Sequence, residues 1–239
     1  MIDNPQNKIG KMVPAAVSAK CRKKLQPAAD LNVTEYNEVL TVPSFWTVES
    51  MLSVIIPTEG AEHPAVATLA ALVPGAASGI IREVLLIDRG DNGVIERVAD
   101  VAGCRFLPFE GTRPAALAEG ARQARSPWLM FLHAGAVLDH GWIDETMQFI
   151  QRVSGSERPR AGVFRYARSP YSDLTMRERL RSAARMVAGP FADQGLLIAR
   201  DHYERLGGHA PNAARAEARL LRRLGRSSLT LLHSRIVTV

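Results

Sequence analysis

Leu52-Ser53-Val54-Ile55-Ile56, an apolar run stopped at Pro57, is answered by a second run, Glu83-Val84-Leu85-Leu86-Ile87, that ends in Asp88. Short apolar runs with no clear alternation are what strands look like when both faces of their sheet are covered. The residues between them fit that reading: Pro64 to Leu72 is a helix, stopped near Pro74-Gly75. Downstream, a turn at Arg89-Gly90-Asp91-Asn92-Gly93 leads to a helix over Val94 to Ala102, a short strand over Cys104 to Leu107, a helix over Pro114 to Ala124 and a strand over Trp128 to Leu132. The order predicts an α/β fold with a mostly parallel sheet and helices on both faces. Ligands of such sheets bind beyond the carboxyl ends of the strands. Pro57 to Glu59, Asp88 to Gly93 and His133 to Asp139 are therefore expected to share one cleft.

Composition bounds the rest. With 239 residues, 46% of them hydrophobic, the chain can bury one substantial core, and one domain plus extensions is the simplest count. No apolar stretch approaches the roughly 18 to 20 residues that cross a bilayer, and the N-terminus has no signal-peptide core, so a soluble cytoplasmic protein is expected. Cys21 and Cys104 stand far apart without zinc or redox spacing and read as inert thiols. Charge is uneven: residues 1–50, 51–157 and 158–239 carry +1, −5 and +10. The basic last third would attract a polyanion, although without interleaved aromatic residues it reads first as a solvated arginine-rich surface rather than a nucleic-acid site.

All five lysines fall within the first 24 residues, whereas the body uses arginine. Residues 1–50 also lack sustained periodicity and contain Pro5, Pro14, Pro27 and Pro43, so they read as a disordered or non-native leader. Met51 stands just before the first strand, and translation starting there is one expectation. The body then divides into a nucleotide-binding half, 51–142, and an acceptor-side half, 143–239.

The order Ser53-Val54-Ile55-Ile56-Pro57-Thr58, Val84-Leu85-Leu86-Ile87-Asp88-Arg89-Gly90 and Phe131-Leu132-His133-Ala134, followed by Asp193-Gln194-Gly195-Leu196-Leu197-Ile198-Ala199-Arg200 and Tyr203-Glu204-Arg205-Leu206-Gly207-Gly208, resembles family 2 glycosyltransferases over about residues 51–235. The nearest likeness is to the small soluble bacterial branch with a His-Ala-Asp-Thr strand end and a Gly-Asp-Gln-Gly motif. That resemblance implies a single nucleotide-diphospho-sugar transferase domain of the GT-A type, with a UDP- or GDP-linked sugar as donor. It implies donor contacts from Pro57, Thr58, Glu59, Asp88, Gly90, Arg113 and His133, with Glu62 as a substitute for Glu59, and an acceptor side at Gln194 and Gly195.

Sugar transfer from a nucleotide diphosphate needs the leaving pyrophosphate neutralised, usually by Mg²⁺ or Mn²⁺ held by carboxylates, and a base for the acceptor hydroxyl. Both positions depart from the pattern. His133-Ala134-Gly135 puts glycine where the resemblance expects the metal-binding carboxylate, and a lone imidazole is a poor ligand for a hard cation. Asp139 is the other metal candidate, although its neighbours His140-Gly141-Trp142 read as a helix start where a carboxylate favours the dipole. The expected Glu-Asp base falls on Ala213-Ala214. Glu217 lies one turn later, on a helix over Ala213 to Leu224, and is expected to pair with Arg219.

Asp193 is the remaining catalytic candidate, read equally well as part of a structural turn, with Gln194 and Gly195, before the strand-like Leu196-Leu197-Ile198. His209 and His233 are possible late metal ligands or ordinary imidazoles, and Gly207-Gly208 reads as the stop of a helix over Asp201 to Leu206. Leu174 to Val187 has helical apolar spacing with intervening arginines, suited to packing on the sheet or to peripheral contact with an anionic membrane. The resemblance also leads one to expect an arginine- and tryptophan-rich tail beyond Val239. Two functions follow: a glycosyltransferase working without the usual metal or with rearranged ligands, in which arginines of the basic last third neutralise the pyrophosphate, or a catalytically silent relative that binds a sugar nucleotide or a partner enzyme. A nucleic-acid binder is a distant third.

Overall fold

The computed structural model describes residues 51–90, 93–167, 194–213 and 215–239. The leader, Asp91-Asn92, Leu174 to Val187, Asp193 and Ala214 lie outside the described residues. Within them, β1 (Leu52–Thr58), α1 (Glu62–Ala77), β2 (Ile81–Asp88), α2 (Val94–Ala102), β3 (Arg105–Pro108), α3 (Arg113–Gln123) and β4 (Trp128–Phe131) follow the strand-helix alternation that the sequence predicts. Next come β5 (Ala136–Leu138), α4 (Trp142–Ser154), β6 (Ala161–Tyr166), β7 (Leu196–Ala199), α5 (Arg200–Arg205), α6 (Ala216–Leu224), a 3-10 turn (Arg226–Ser228) and β8 (Leu229–Thr238).

The eight strands form one sheet in the order β3-β2-β1-β4-β7-β6-β8-β5. β1 runs parallel to β2 and β4, β2 to β3, and β6 to β8; β7 is antiparallel to both β4 and β6, and β5 is antiparallel to β8. The sheet is thus parallel through its first half and mixed beyond β4. Strands β5, β6 and β8 are absent from the sequence reading. In β8 the signal is a half-buried alternation, with Leu232, Ser234 and Ile236 buried and Leu231, His233 and Arg235 exposed, and the polar outward residues disguise it.

Period-two alternation divides the core. Val54, Ile56, Leu86, Met130 and Leu197 face the helices α1, α2 and α4, where Phe149 and Ile150 join them. Ile55, Leu85, Ile87, Leu129 and Ile198 face the other way, against Leu117 of α3, Tyr203 of α5 and Leu220 and Leu224 of α6. Burial on both faces is why these strands are continuous apolar runs.

Two expected breaks do not occur. β1 continues through Pro57 to Thr58 because β4 pairs only as far as Ile55↔Phe131; a proline beyond that point removes no hydrogen bond from the β4 ladder. α1 continues past Pro74-Gly75 to Ala77. Its last turn is held by packing: a Cβ on Gly75 would sit 2.5 Å from the ring of Trp142, so the glycine lets α4's indole lie directly on the helix.

Between the register pairs Val163↔Leu231 and Arg165↔Arg235, β8 carries two more residues than β6. The resulting bulge lets the backbone N–H groups of His233 and Ser234 both donate to the Glu145 carboxylate of α4, at 2.5 and 2.6 Å, with His233 Nδ1 at 3.1 Å. Burial alone would raise the Glu145 carboxyl, but the His233 and Ser234 donors override it and hold it at about 2. Since that lies below its ordinary 4.5, the stability it supplies is complete above that ordinary value and is lost as pH falls towards the folded one. Glu145→Ala is expected to cost about 2–3 kcal/mol at neutral pH, measured by urea unfolding, with the gap from wild type narrowing below pH ~4.5. A gap that does not change with pH would show that the carboxylate is not held this way.

Candidate functional site at the carboxyl ends of the strands

Thr58 ends β1 and Asp88 ends β2, and the two are partners in register. Both are buried, at 1% and 2% exposure. Asp88 Oδ1 accepts from the Thr58 hydroxyl at 2.8 Å and from the Gly60 N–H at 2.9 Å. The Asp88 carboxylate therefore caps the loop after β1. Gly90 is required by close approach, since a Cβ there would lie 2.8 Å from the backbone of Gly60. The two loops are interlocked by this carboxylate and this missing side chain. Glu59 is paired with Arg89 at 2.7 Å, and Arg89 Nε also donates to Gly111 O at 2.8 Å, so Arg89 ties the β1 loop to the entry of α3. Glu62, the alternative carboxylate, is exposed in the first turn of α1.

The tip beyond β4 explains its own sequence. Gly135 has φ +92°, and a Cβ there would lie 2.8 Å from the carbonyl oxygen of Val239. Its N–H donates to Pro64 O and to Thr68 Oγ1, both at 2.9 Å, while its carbonyl accepts from Val239 N at 3.0 Å. The tip is thus clamped between the start of α1 and the end of β8. His133 Nε2 lies 3.1 Å from Thr238 Oγ1 on the same strand. An aspartate at position 135 would need both a left-handed backbone and the space of that carbonyl.

Asp139 follows β5 and gives its N–H to Arg235 O. The helix does start at Trp142, as the neighbours of Asp139 suggest, but its N-cap is Gly141 with no side-chain bond, so Asp139 lies ahead of the first turn and does not cap it. One carboxylate oxygen of Asp139 is buried with no hydrogen-bond partner among the described residues. His233 is held by Glu145 at the β8 bulge. Among the described residues no group of three or more His, Cys, Asp or Glu side chains is placed to hold a metal ion, and the glycine tip offers no carboxylate, so these residues do not fit Mg²⁺ or Mn²⁺ there.

A half-open pocket lies beside the tip, on the α3 and α6 side of the sheet. Its walls are Leu117, Phe131, Leu132, Val163, Leu196 and Leu221, and its polar arc is Arg113, Glu217 and His209, with Gly195 at the floor. Thr112 places Arg113 by capping α3: its hydroxyl accepts from Ala115 N at 3.3 Å and donates to Pro211 O at 2.7 Å. Arg113 Nε then donates to Glu217 Oε1 at 3.1 Å. The expected Glu217–Arg219 pair does not form. Residues two apart project about 200° around a helix and cannot face each other, so Glu217 turns inwards from the first turn of α6 while Arg219 is exposed. α6 itself begins at Ala216, and Ala213 belongs to the turn before it, with its N–H on Ala210 O.

Tyr203 and His209 join this site as a unit that the sequence reading treats only as a lone imidazole. Gly207-Gly208 does end α5, with their N–H groups on Glu204 O and Tyr203 O, and the double glycine folds His209 back onto Tyr203. The Tyr203 hydroxyl accepts the His209 backbone N–H at 3.0 Å and lies 2.9 Å from Nδ1. Phe131 stacks edge-on against the imidazole, with centroids 4.8 Å apart. Burial, then the charge of Arg113, lowers the His209 pKa to about 4, and burial pushes the Tyr203 phenol up to about 12. The buried hydroxyl needs an acceptor for its proton, and Nδ1 supplies one, which leaves the ring proton on Nε2. The sequence signal for this unit was Gly208, where a Cβ would strike the Tyr203 ring at 2.8 Å.

Three solved structures share this architecture. Glucosyl-3-phosphoglycerate synthase from Mycobacterium tuberculosis, crystallised with Mn²⁺, UDP and glucosyl-3-phosphoglycerate, aligns with a TM-score of 0.56 at 17% identity, over 80% of this chain and 73% of that one. A mycobacterial protein aligns at 0.55 and 16%, over 82% and 71%, and S. aureus TarS residues 1–349 at 0.57 and 11%, over 79% and 60%. The fold is the GT-A glycosyltransferase fold. No protein-family model matches the chain, and neither does any curated protein. Among the described residues no helix is long and apolar enough to cross a membrane.

Two measurements probe this geometry. Gly135→Asp, which writes the expected carboxylate back, should destabilise the protein by about 1–3 kcal/mol in urea unfolding and confer no Mn²⁺ binding by calorimetry; a stable variant that binds Mn²⁺ would contradict the clamp. In NMR titration the His209 ring should stay neutral until pH ~4, well below an exposed imidazole, and a midpoint near 6.5 would contradict its burial against Tyr203.

Proposed function

We propose that the chain is a family 2 type glycosyltransferase that takes a UDP- or GDP-linked sugar in the cleft at Asp88 and an acceptor in the pocket at Glu217. The observation that carries the reading is convergence. On a GT-A fold, Arg113 from the donor half and Glu217 and Gly195 from the acceptor half line one pocket at the strand ends. In this reading Asp88, with Pro57, Thr58 and Gly90, receives the donor's base and ribose. Glu217 takes the proton of an acceptor hydroxyl as that oxygen forms the new glycosidic bond. The sugar–phosphate bond breaks, and the nucleoside diphosphate leaves with the electron pair, its charge met by the Arg89 guanidinium at the rim of the cleft. Gln194 belongs to the acceptor side in this reading, and His133 borders the donor.

The clamp on Gly135 favours a second reading, a silent relative that binds the sugar nucleotide without transferring it. Calorimetry with UDP and GDP, each with and without Mn²⁺, followed by a donor-hydrolysis assay, separates the two. Binding with turnover that Glu217→Gln reduces by about 10²-fold or more supports transfer; binding without turnover supports the silent relative; no binding of either nucleotide defeats both. Asp88→Asn should weaken nucleotide binding by about tenfold, and an unchanged affinity would remove Asp88 from the donor site.

A further inference from the structure

We infer that the pocket between α3, β7 and α6 selects an uncharged, hydroxyl-bearing acceptor with an apolar body and turns phosphorylated or carboxylated acceptors away. The inference rests on the acceptor reading above and names the substrate class. Its first support is the charge balance of the polar arc. Among the described residues Arg113 is the cation that lines the pocket, and its Nε is already held by Glu217 at 3.1 Å. His209 is 3% exposed, is tied to the Tyr203 hydroxyl and carries no charge near neutral pH. The three groups therefore sum to zero.

An anion entering here would have to share Arg113 with a carboxylate already bonded to it, and repulsion between like charges is strong in a site walled by low-dielectric side chains. A neutral hydroxyl meets no such opposition. Glu217 can accept its proton, while the remaining N–H groups of Arg113 and the imidazole of His209 can donate to its oxygen. The second support is the wall. Leu132, Val163, Leu196 and Leu221 offer hydrocarbon to the rest of the molecule, and a few convergent polar groups in an apolar pocket is the arrangement that orients a largely apolar ligand. The neutrality comes from tertiary pairing, since Arg113 and Glu217 are 104 positions apart.

The test uses a matched pair of probes that differ in charge, benzyl alcohol and benzyl phosphate, titrated by ligand-observed NMR into the full chain without nucleotide. Wild type should bind benzyl alcohol at least about tenfold more tightly than benzyl phosphate. Glu217→Gln, which leaves Arg113 unopposed, should tighten benzyl phosphate by about tenfold and reverse the order. Arg113→Gln, which leaves Glu217 unopposed, should weaken benzyl phosphate more than benzyl alcohol and widen the gap between the two probes, so the charge argument stays testable if the Glu217 variant fails to fold. Equal or tighter binding of the phosphate by wild type, binding of neither probe, or a preference unchanged in Glu217→Gln would overturn the inference. The UDP titration separates the two readings: loss of UDP binding with the alcohol preference intact defeats the donor site alone. Normal UDP binding with no alcohol preference defeats this inference alone.

Discussion

The end of β8 lies across the tip of β4, and much of the molecule's functional half is arranged around that contact. Gly135 exchanges hydrogen bonds with Val239 on one side and with Pro64 and Thr68 of α1 on the other. The clamp brings a C-terminal strand, a strand end and a helix start to one point. It also sets a steric rule. The residue at position 135 must accept a left-handed backbone and carry no side chain, so the absence of a carboxylate there follows from packing and not only from the loss of an acid.

That constraint redistributes the chemistry. At the ends of β1 and β2, Asp88 uses one oxygen to lock the β1 loop through Thr58 and Gly60, and the carboxylate is buried at the rim of the cleft. In the pocket, the arginine that opens α3 and the glutamate that opens α6 meet, and the imidazole behind them is kept neutral by burial and by the charge of Arg113. Rigid elements carry each of these groups. Arg113 is set by the Thr112 cap, Glu217 by the first turn of α6, and His209 by the double glycine after α5. The pocket is therefore organised before any ligand arrives, which lowers the ordering cost of binding.

Stability and site are coupled through β8. Its bulge hands two successive N–H groups to Glu145, an arrangement that pins the strand to α4, and the same strand then runs on to pair with β5 and close on Gly135. A strand tethered at its bulge delivers Thr238 to His133 in a fixed register. The polar outward face of β8 is the reason its role is hard to see in the sequence.

What the sequence alone determined is the part of the fold that local pattern encodes. The apolar runs of β1, β2, β4 and β7, the helix over Val94 to Ala102, the stop at Gly207-Gly208 and the carboxylate at the end of β2 all follow from periodicity and turn chemistry within a few residues. Tertiary structure decided the rest, because the deciding contacts join residues about a hundred positions apart: Arg113 with Glu217, and His133 with Thr238. Glu217 looked inclined towards Arg219 in one dimension, whereas helix geometry turned it to a partner on another helix. Gly135 looked like a missing ligand, whereas the neighbouring strand left no room for one. Spacing can report which groups a segment offers, but which of them meet, and which are excluded by packing, is set only when the chain closes on itself.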